Sequence, residues 1–264
     1  MIEGYIETHP VFTRQELMDS CGDTQNNANL LYRAKRAGKV ISIARGVYAS
    51  NTGRYRANEA SPYAVAEKLG TDVVFAYNSA LSLLVGTHDV TSRVVFYANS
   101  TERRIKWGGH EYVGYPKPDG VSTKERRLPD GTSVRFTDKE QTILDCLTRP
   151  DRCGGSEALL RSLSAIEFVD AARLANEAMN HSKSLAAKLG WLLDAKKGEW
   201  SVSESVLERL REEISGRGPF YFTRSHDVVT DSWYGKWRLY LPASVAECER
   251  WLEAVSYTHL RAHE

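Results

Sequence analysis

Hydrophobic and polar positions near the amino terminus follow a helical spacing. Thr13 and Glu16 are separated as in a capping box, which predicts a short helix over FTRQELMDS, residues 12–20. Glycine and short polar residues then predict a tight turn at Cys21-Gly22-Asp23. The chain is therefore expected to form one helix and to reverse at once into the next element.

A second amphipathic helix is predicted directly after this turn. It begins with Asp23 or Thr24 as its N-cap and ends at Ala37, because Gly38 can adopt the left-handed conformation that ends helices. At helical spacing, its hydrophobic side carries Leu30, Leu31, Ala34 and Ala37, with Asn27 at the edge. The opposite side presents polar and aromatic side chains, namely Gln25, Asn26, Asn29, Tyr32, Arg33 and Arg36.

The pattern changes from helix to strand immediately after Gly38. A strand is predicted at 40–43 and a returning strand at 47–49, joined by Ala44-Arg45-Gly46, where glycine can adopt a positive φ. Two helices followed by a hairpin predict a winged helix-turn-helix over residues 1–58. Arg45 at the tip of the wing and Lys39 at its base would then lie near a nucleic-acid backbone.

A second domain is predicted over residues 59–254, where the composition changes. Its predicted strands span 73–76, 94–98, 111–114, 133–136, 220–222 and 237–241, with a turn at 128–131. Its predicted helices span 61–69, 79–85, 156–163, 167–179, 183–196, 203–214 and 243–253. One more helix is predicted to begin at a capping box formed by Thr137 and Glu140 and to end before Pro150. The predicted fold class is α+β, with the winged helix followed by a larger mixed α/β domain that contains a helical segment.

Composition limits the partners and the compartment. The 264 residues are 42% hydrophobic and carry a net charge of only +1, so total charge predicts no partner. Four cysteines without a CxxC pair, no signal peptide and no long apolar run predict a cytoplasmic protein that does not cross a membrane. The last ten residues, VSYTHLRAHE at 255–264, resemble a translated sequencing adapter and are expected to carry no function.

The distribution of charge says more than its total. No acidic residue occurs from Thr24 to Asn58, whereas the segment contains Arg33, Lys35, Arg36, Lys39, Arg45, Arg54 and Arg56. A local cationic surface of this kind is typical of proteins that bind a polyanion. Asparagine and glutamine can bond an adenine edge, arginine can bond guanine, and the remaining cations can bind phosphates, so double-stranded DNA is the predicted partner.

The search for catalytic motifs is negative. The chain contains no GxxxxGK[ST], GxGxxG, HExxH or GxSxG sequence, and the ExK of many nucleases is absent. We therefore predict no enzyme activity, no metal and no cofactor, and interpret His181, Asp145 and His226 with Asp227 as structural or loop residues. Two further basic clusters are candidates for secondary contacts with a partner or DNA, although solvated strand faces explain each of them better. They consist of Arg103, Arg104 and Lys106 and of Lys124, Arg126 and Arg127.

The segment VFTRQEL … LLYRAKRAGKVISIARGVYAS resembles the amino-terminal winged helix of the AbiEi family, antitoxins of abortive-infection type IV toxin–antitoxin pairs. The resemblance continues in FTDKEQTILDCLTRPDRCGG at 136–155 and AAKLGWLLD at 186–194. It implies a transcriptional autorepressor that binds inverted repeats in its own promoter. It also implies that the remainder of the chain counteracts a nucleotidyltransferase-like toxin in phage defence.

Two other functions remain open at this stage. The chain could be a winged-helix transcription factor without a toxin, whose second domain senses a ligand, or a nucleic-acid-processing enzyme. A toxin gene next to this one would favour the antitoxin. Loss of DNA binding on addition of a ligand would favour the first alternative, and metal-dependent DNA cleavage the second.

Overall fold

The computed structural model describes residues 2–53, 55, 60–85, 92–99, 101–129, 131–224, 227 and 229–253. Arg54, Arg56, Asp130, His226 and the segment 255–264 lie outside the described residues. The chain divides into two compact units, one within 1–75 and 90–136 and the other within 76–89 and 137–264. Both contain helices and strands, so the chain is α+β. The boundary predicted near residue 58 falls inside the first unit, and the division into domains 1–58 and 59–254 stays a prediction.

Residues 2–50 of the first unit fold around a small core. The elements are helix α1 (Ile2–Thr8), strand β1 (Val11–Thr13), helices α2 (Arg14–Cys21) and α3 (Gln25–Arg36), and strands β2 (Val40–Ala44) and β3 (Val47–Ser50). The strands form an antiparallel sheet in the order β1-β3-β2. The buried cluster consists of Ile2, Ile6, Phe12, Leu17, Met18, Leu31, Val40 and Tyr48. Because every element contributes to this cluster, burial of one core fixes the three helices and the three strands together.

The sequence signals predicted at the starts of α2 and α3 are confirmed. Thr13 Oγ1 accepts a hydrogen bond from the Glu16 N–H at 3.1 Å, and the Glu16 carboxylate accepts one from the Thr13 N–H at 2.8 Å. Thr24, rather than Asp23, caps α3. Gly38 adopts the predicted left-handed conformation after α3, with a φ of 69°.

A six-stranded mixed sheet forms the rest of the first unit. Helix α4 (Pro62–Glu67) precedes strands β4 (Val74–Phe75), β5 (Arg93–Ala98), β6 (Arg103–Trp107), β7 (His110–Pro116), β8 (Thr123–Arg127) and β9 (Ser133–Thr137). The strand order is β6-β7-β5-β4-β9-β8, which places β6 and β8 at the two edges. Phe96 of β5 is paired with Gly114 of β7, where a Cβ atom would lie 2.9 Å from the Phe96 ring.

The second unit is mainly helical. Its helices are α5 (Tyr77–Val85), α6 (Lys139–Thr148), α7 (Ser156–Leu163), α8 (Ala171–His181), α9 (Lys183–Ala195), α10 (Glu204–Ile214) and α11 (Val245–Glu253), and its strands are β10 (Phe220–Tyr221), β11 (Ser232–Tyr234) and β12 (Leu239–Leu241). The three strands are ordered β10-β12-β11. Helix α9 buries Leu185, Leu189, Trp191, Leu192 and Leu193. No described helix has both the length and the apolar character needed to cross a membrane.

The capping box predicted at Thr137 is wrong. Thr137 is the last residue of β9 and is fully buried, so Asp138 caps α6 instead by accepting from the Gln141 N–H at 2.9 Å. Glu140 accepts from Arg173 Nη1 at 3.4 Å rather than from the helix start. The Thr-x-x-Glu spacing is therefore fortuitous here.

Several other boundaries in the second unit also differ from prediction, among them those of α5, α8, α11 and β12. Helix α8 begins at Ala171 rather than 167, because Asp170 caps it by accepting from the Arg173 N–H at 2.9 Å. Trp237 lies in a short 3-10 helix, Gly235–Trp237, and the strand begins only at Leu239.

Candidate nucleic-acid interface

Helix α3 exposes the polar side that its sequence predicts. Gln25, Asn26, Asn29, Tyr32, Arg33 and Arg36 are all exposed, and so are Lys39 and Arg45 after the helix. On the opposite side Leu31 is buried, while Ala28, Leu30 and Ala34 are partly buried. Ala37 is exposed, so its predicted place in the core is wrong. The helix therefore keeps one side available for a ligand.

The junction between α2 and α3 is held by a side chain whose function the sequence did not reveal. Asn27 donates from Nδ2 to the carbonyl oxygens of Cys21 and Gly22, at 2.8 Å each. Its N–H also donates to Thr24 Oγ1 at 3.2 Å. Three bonds from one residue fix the start of α3 against the end of α2, which sets the angle at which α3 leaves the small core.

Hydrogen bonds tie the hairpin to the start of α2 and to the residues that follow α3. The Arg14 N–H at the start of α2 donates to the carbonyl oxygen of Gly46 at 2.7 Å. Beyond β3, Asn51 donates from Nδ2 to Gly38 O at 2.9 Å and from its N–H to Lys39 O at 2.8 Å. Gly46 has the predicted positive φ, 77°. Arg45 is therefore presented on a turn whose position relative to α3 is fixed.

The cations of this surface differ in their partners. Arg33, Arg36 and Arg45 form no ion pair within the described residues. Lys39 contacts the Glu3 carboxylate at 3.3 Å, but both side chains are largely exposed. Lys35 Nζ lies 5.3 Å from the centre of the Tyr48 ring. Because exposed ion pairs contribute little to stability, all five cations can be offered to an anionic ligand at small cost.

Neutral polar groups occupy the first half of the same side. Gln25 Nε2 donates to Asn29 Oδ1 at 3.2 Å, one helical turn further on. Tyr32 is 61% exposed, which is unusual for an aromatic side chain. Asn29, Tyr32, Arg33, Arg36 and Ala37 line a shallow depression. The surface therefore combines groups that bind base edges with groups that bind phosphates.

A partly buried ion pair joins the start of α2 to Lys68, the residue that follows α4 in the same unit. Lys68 of the turn after α4 donates from Nζ to Glu16 Oε1. Burial acts to raise the pKa of the Glu16 carboxyl, but the bonds from Lys68 and Thr13 outweigh it, so the pKa is lowered. The Glu16 carboxylate therefore both caps the start of α2 and binds Lys68.

The two secondary basic clusters do not meet. Arg103, Arg104 and Lys106 lie on β6, and Lys124, Arg126 and Arg127 on β8, the opposite edges of the six-stranded sheet. Four strands separate them, which corresponds to about 24 Å. Arg103 donates to Leu69 O at 2.9 Å and Arg104 contacts Glu102 at 3.1 Å. Charged edges of this kind also prevent pairing with other strands, and a function in binding stays a prediction.

No family model and no curated protein matches this chain. Among solved structures, it is similar to the crystal structure of the RV2827C protein from Mycobacterium tuberculosis, with a TM-score of 0.61. The two sequences are 16% identical, and the match covers 90% of this chain and 89% of that chain. At this identity the similarity shows the fold alone, and it extends over both compact units.

The residues considered for catalysis have ordinary environments. Asp145 accepts from Gln141 Nε2 at 2.8 Å, and His181 Nδ1 lies 3.3 Å from Ser182 Oγ. In the part of the chain that the structure describes, no group of three or more His, Cys, Asp or Glu side chains is arranged to hold a metal ion. The surface of α3 and the hairpin is thus the best-defined candidate site.

Proposed function

We propose that the chain is a winged helix-turn-helix protein that binds double-stranded DNA, with α3 as the recognition helix and β2–β3 as the wing. The observation that carries this proposal is the exposed side of α3, on which Arg33 and Arg36 have no acidic partner among the described residues. A major groove admits one α-helix, and the wing beside it would place Arg45 at the flanking backbone. Lys39 at the base of the wing would contact phosphate.

The structure favours DNA over a small anion because the cations follow the length of the surface. Basic residues occupy the last turns of α3 and continue to Lys39 and Arg45, whereas Gln25, Asn26 and Asn29 occupy its start. A small ligand needs convergent groups in an enclosed pocket, but the depression on α3 is shallow. An extended polyanion matches a long, open surface better.

The test is binding to the chain's own promoter DNA, measured by fluorescence anisotropy over a range of salt concentrations. Counterion release makes the logarithm of affinity fall with the logarithm of salt. Arg45→Ala should reduce the magnitude of that slope by about one, because it removes one phosphate contact. Arg161→Ala, in an exposed Glu157–Arg161 pair on α7, is the matched control and should leave the slope unchanged. Salt-independent affinity of the wild type would overturn the proposal.

We further propose that the chain represses its own operon and acts as the antitoxin of a type IV toxin–antitoxin pair. Support comes from the AbiEi resemblance, which continues outside the winged helix at 136–155 and 186–194. On this proposal a nucleotidyltransferase-like toxin is the functional partner, and the chain itself catalyses no reaction. The toxin is expected to be encoded next to this gene.

Repression and protection can be separated in cells that carry the adjacent gene. The full chain with Arg33→Ala, Arg36→Ala and Arg45→Ala should lose repression of a promoter reporter and still restore growth when expressed from an unrelated promoter. All three side chains are exposed, so folding should be kept. An adjacent gene whose expression is harmless, or a wild-type chain that fails to protect against it, would contradict the antitoxin proposal and leave DNA binding standing.

A further inference from the structure

The hydrogen bond between Gln25 and Asn29 makes two amides into one recognition unit. Both side chains are exposed on the first turns of α3, and Gln25 Nε2 donates to Asn29 Oδ1 at 3.2 Å. In this orientation, Gln25 Oε1 remains as an acceptor and Asn29 Nδ2 remains as a donor. The pair therefore offers an outward carbonyl beside an outward amino group.

This result does not depend on which way the two amides are turned. If both were rotated by half a turn, Asn29 would donate to Gln25, leaving Gln25 Nε2 as the donor and Asn29 Oδ1 as the acceptor. Either arrangement leaves one carbonyl and one amino group outside the mutual bond. Holding each side chain by the other also reduces the rotamer entropy that binding would otherwise cost.

One donor beside one acceptor matches adenine and not guanine. In the major groove adenine presents N7 as an acceptor and N6 as a donor, whereas guanine presents two acceptors, N7 and O6. A guanine at this position would set its O6 against the carbonyl of the pair. The position on the helix agrees, because recognition helices contact bases through their amino-terminal residues.

We infer that Gln25 and Asn29 together read an adenine in the DNA major groove, while the arginines further along α3 bind phosphates or a second base. This inference rests on the proposed DNA-binding function and adds the base that one part of the surface selects. Asn180 is an exposed amide on α8, outside the surface formed by α3 and the hairpin. It therefore provides a matched control.

The experiment selects binding sites for the full chain from a randomised DNA duplex and repeats the selection with Gln25→Ala, Asn29→Ala, the double variant and Asn180→Ala. The wild type and Asn180→Ala should share one position that is strongly enriched in adenine. Both single variants should lose that enrichment. The double variant should bind the selected site no more weakly than either single variant, because removal of one amide already breaks the unit.

Replacing the selected adenine by 7-deazaadenine then removes only the N7 acceptor. Wild-type affinity should fall about tenfold, whereas Gln25→Ala should bind both duplexes equally. Unchanged adenine enrichment in both single variants, or equal wild-type affinity for the two duplexes, would overturn the inference while DNA binding stands. If the folded wild-type chain selects no DNA at any salt concentration, the proposed function itself fails, and the inference fails with it.

Discussion

Helices α3 and α9 have similar lengths and opposite surroundings. Every residue from Leu185 to Leu193 in α9 is buried, whereas Leu31 is the buried residue of α3. Packing therefore constrains almost the whole surface of α9. On α3 the core constrains only one stripe, so the polar residues on its other side are not explained by folding. Packing therefore explains the identity of most residues on α9, whereas it does not explain the polar residues on the exposed side of α3.

The cations of the two helices differ in the same way. Lys188 of α9 is 7% exposed, and its Nζ donates to Leu147 O at 2.9 Å. Burial, with a smaller contribution from Arg224, lowers the pKa of Lys188 to about 8. Arg33 and Arg36 of α3 remain in solvent. A buried amine that bonds a carbonyl stabilises one packing arrangement, whereas an exposed guanidinium without a partner is ready for an anion.

The largest effect is expected at the closest contact of α9. A Cβ atom at Gly190 would lie 2.1 Å from the ring of Trp237, which is fully buried. Gly190→Ala should therefore lower the free energy of unfolding by about 3 kcal/mol or more, through overpacking. Chemical denaturation measures the change. Gly198→Ala, where no atom lies within 4 Å of the added Cβ, is the control, and equal stability of the two variants would show that α9 does not pack this tightly.

The second prediction uses the buried cation of α9. The pKa of Lys188 is lower in the folded chain, so the unfolded chain binds more protons between pH 8 and the ordinary lysine pKa. Stability contributed by this group must therefore rise as pH rises through that interval. From pH 8 to pH 10, the free energy of unfolding of the wild type should rise by about 2 kcal/mol more than that of Lys188→Met. Denaturation curves at both pH values test this, and parallel pH dependence of the two proteins would contradict it.

The third prediction concerns how α3 is held with so little burial. Asn27→Ala removes two bonds to carbonyl oxygens at the junction with α2 and should cost about 1 to 2 kcal/mol of stability. Because the angle between α2 and α3 is then less well fixed, affinity for promoter DNA should also fall. Asn27 itself does not belong to the side of α3 that we propose to contact DNA. Ala28→Gly, a change of similar stability cost on the same helix, is the control. Equal losses of DNA affinity in both variants would mean that the junction does not orient α3.

Helices α2 and α3 and the hairpin after them could be predicted because their signals are local. The Thr13–Glu16 capping box, the Thr24 cap and the positive φ at Gly38 each depend on residues a few positions apart, and the structure confirms all three. The exposed side of α3 follows directly from helical spacing. The prediction for Ala37 failed because the last turn of the helix extends beyond the small core, a limit set by tertiary structure.

Non-local contacts explain what could not be predicted. Strand β1 is three residues long and is defined by pairing with β3, and α1 is recognisable mainly because Ile2 and Ile6 enter the same core. Thr137 has the spacing of a capping residue, but its pairing in the sheet keeps it in a strand. The position of β6 and β8 at opposite edges, which separates the two basic clusters, depends on strand order. No local pattern encodes that order.

The smallest expected effect lies at the exposed ion pair between Glu3 and Lys39, next to the surface that we propose to bind DNA. Glu3 contacts Lys39 at 3.3 Å, with side-chain exposures of 78% and 52%, respectively. Such an exposed pair contributes little to folding, so Glu3→Gln should change the free energy of unfolding by less than about 0.5 kcal/mol. Glu3→Gln should nevertheless tighten DNA binding roughly twofold at low salt. In this variant Lys39 does not have to leave the Glu3 carboxylate before it contacts a phosphate.

The variant Glu7→Gln is the control that distinguishes loss of the Glu3–Lys39 ion pair from a general change in net charge. Glu7 lies on α1 with Glu3, is exposed and forms no ion pair among the described residues, so its removal changes the net charge equally without freeing a cation. Anisotropy titrations should show tighter binding for Glu3→Gln than for Glu7→Gln, and the difference should disappear as salt screens the pair. Equal gains in both variants would mean that Lys39 is not a phosphate contact. The cationic surface would then be limited to α3 and the tip of the hairpin.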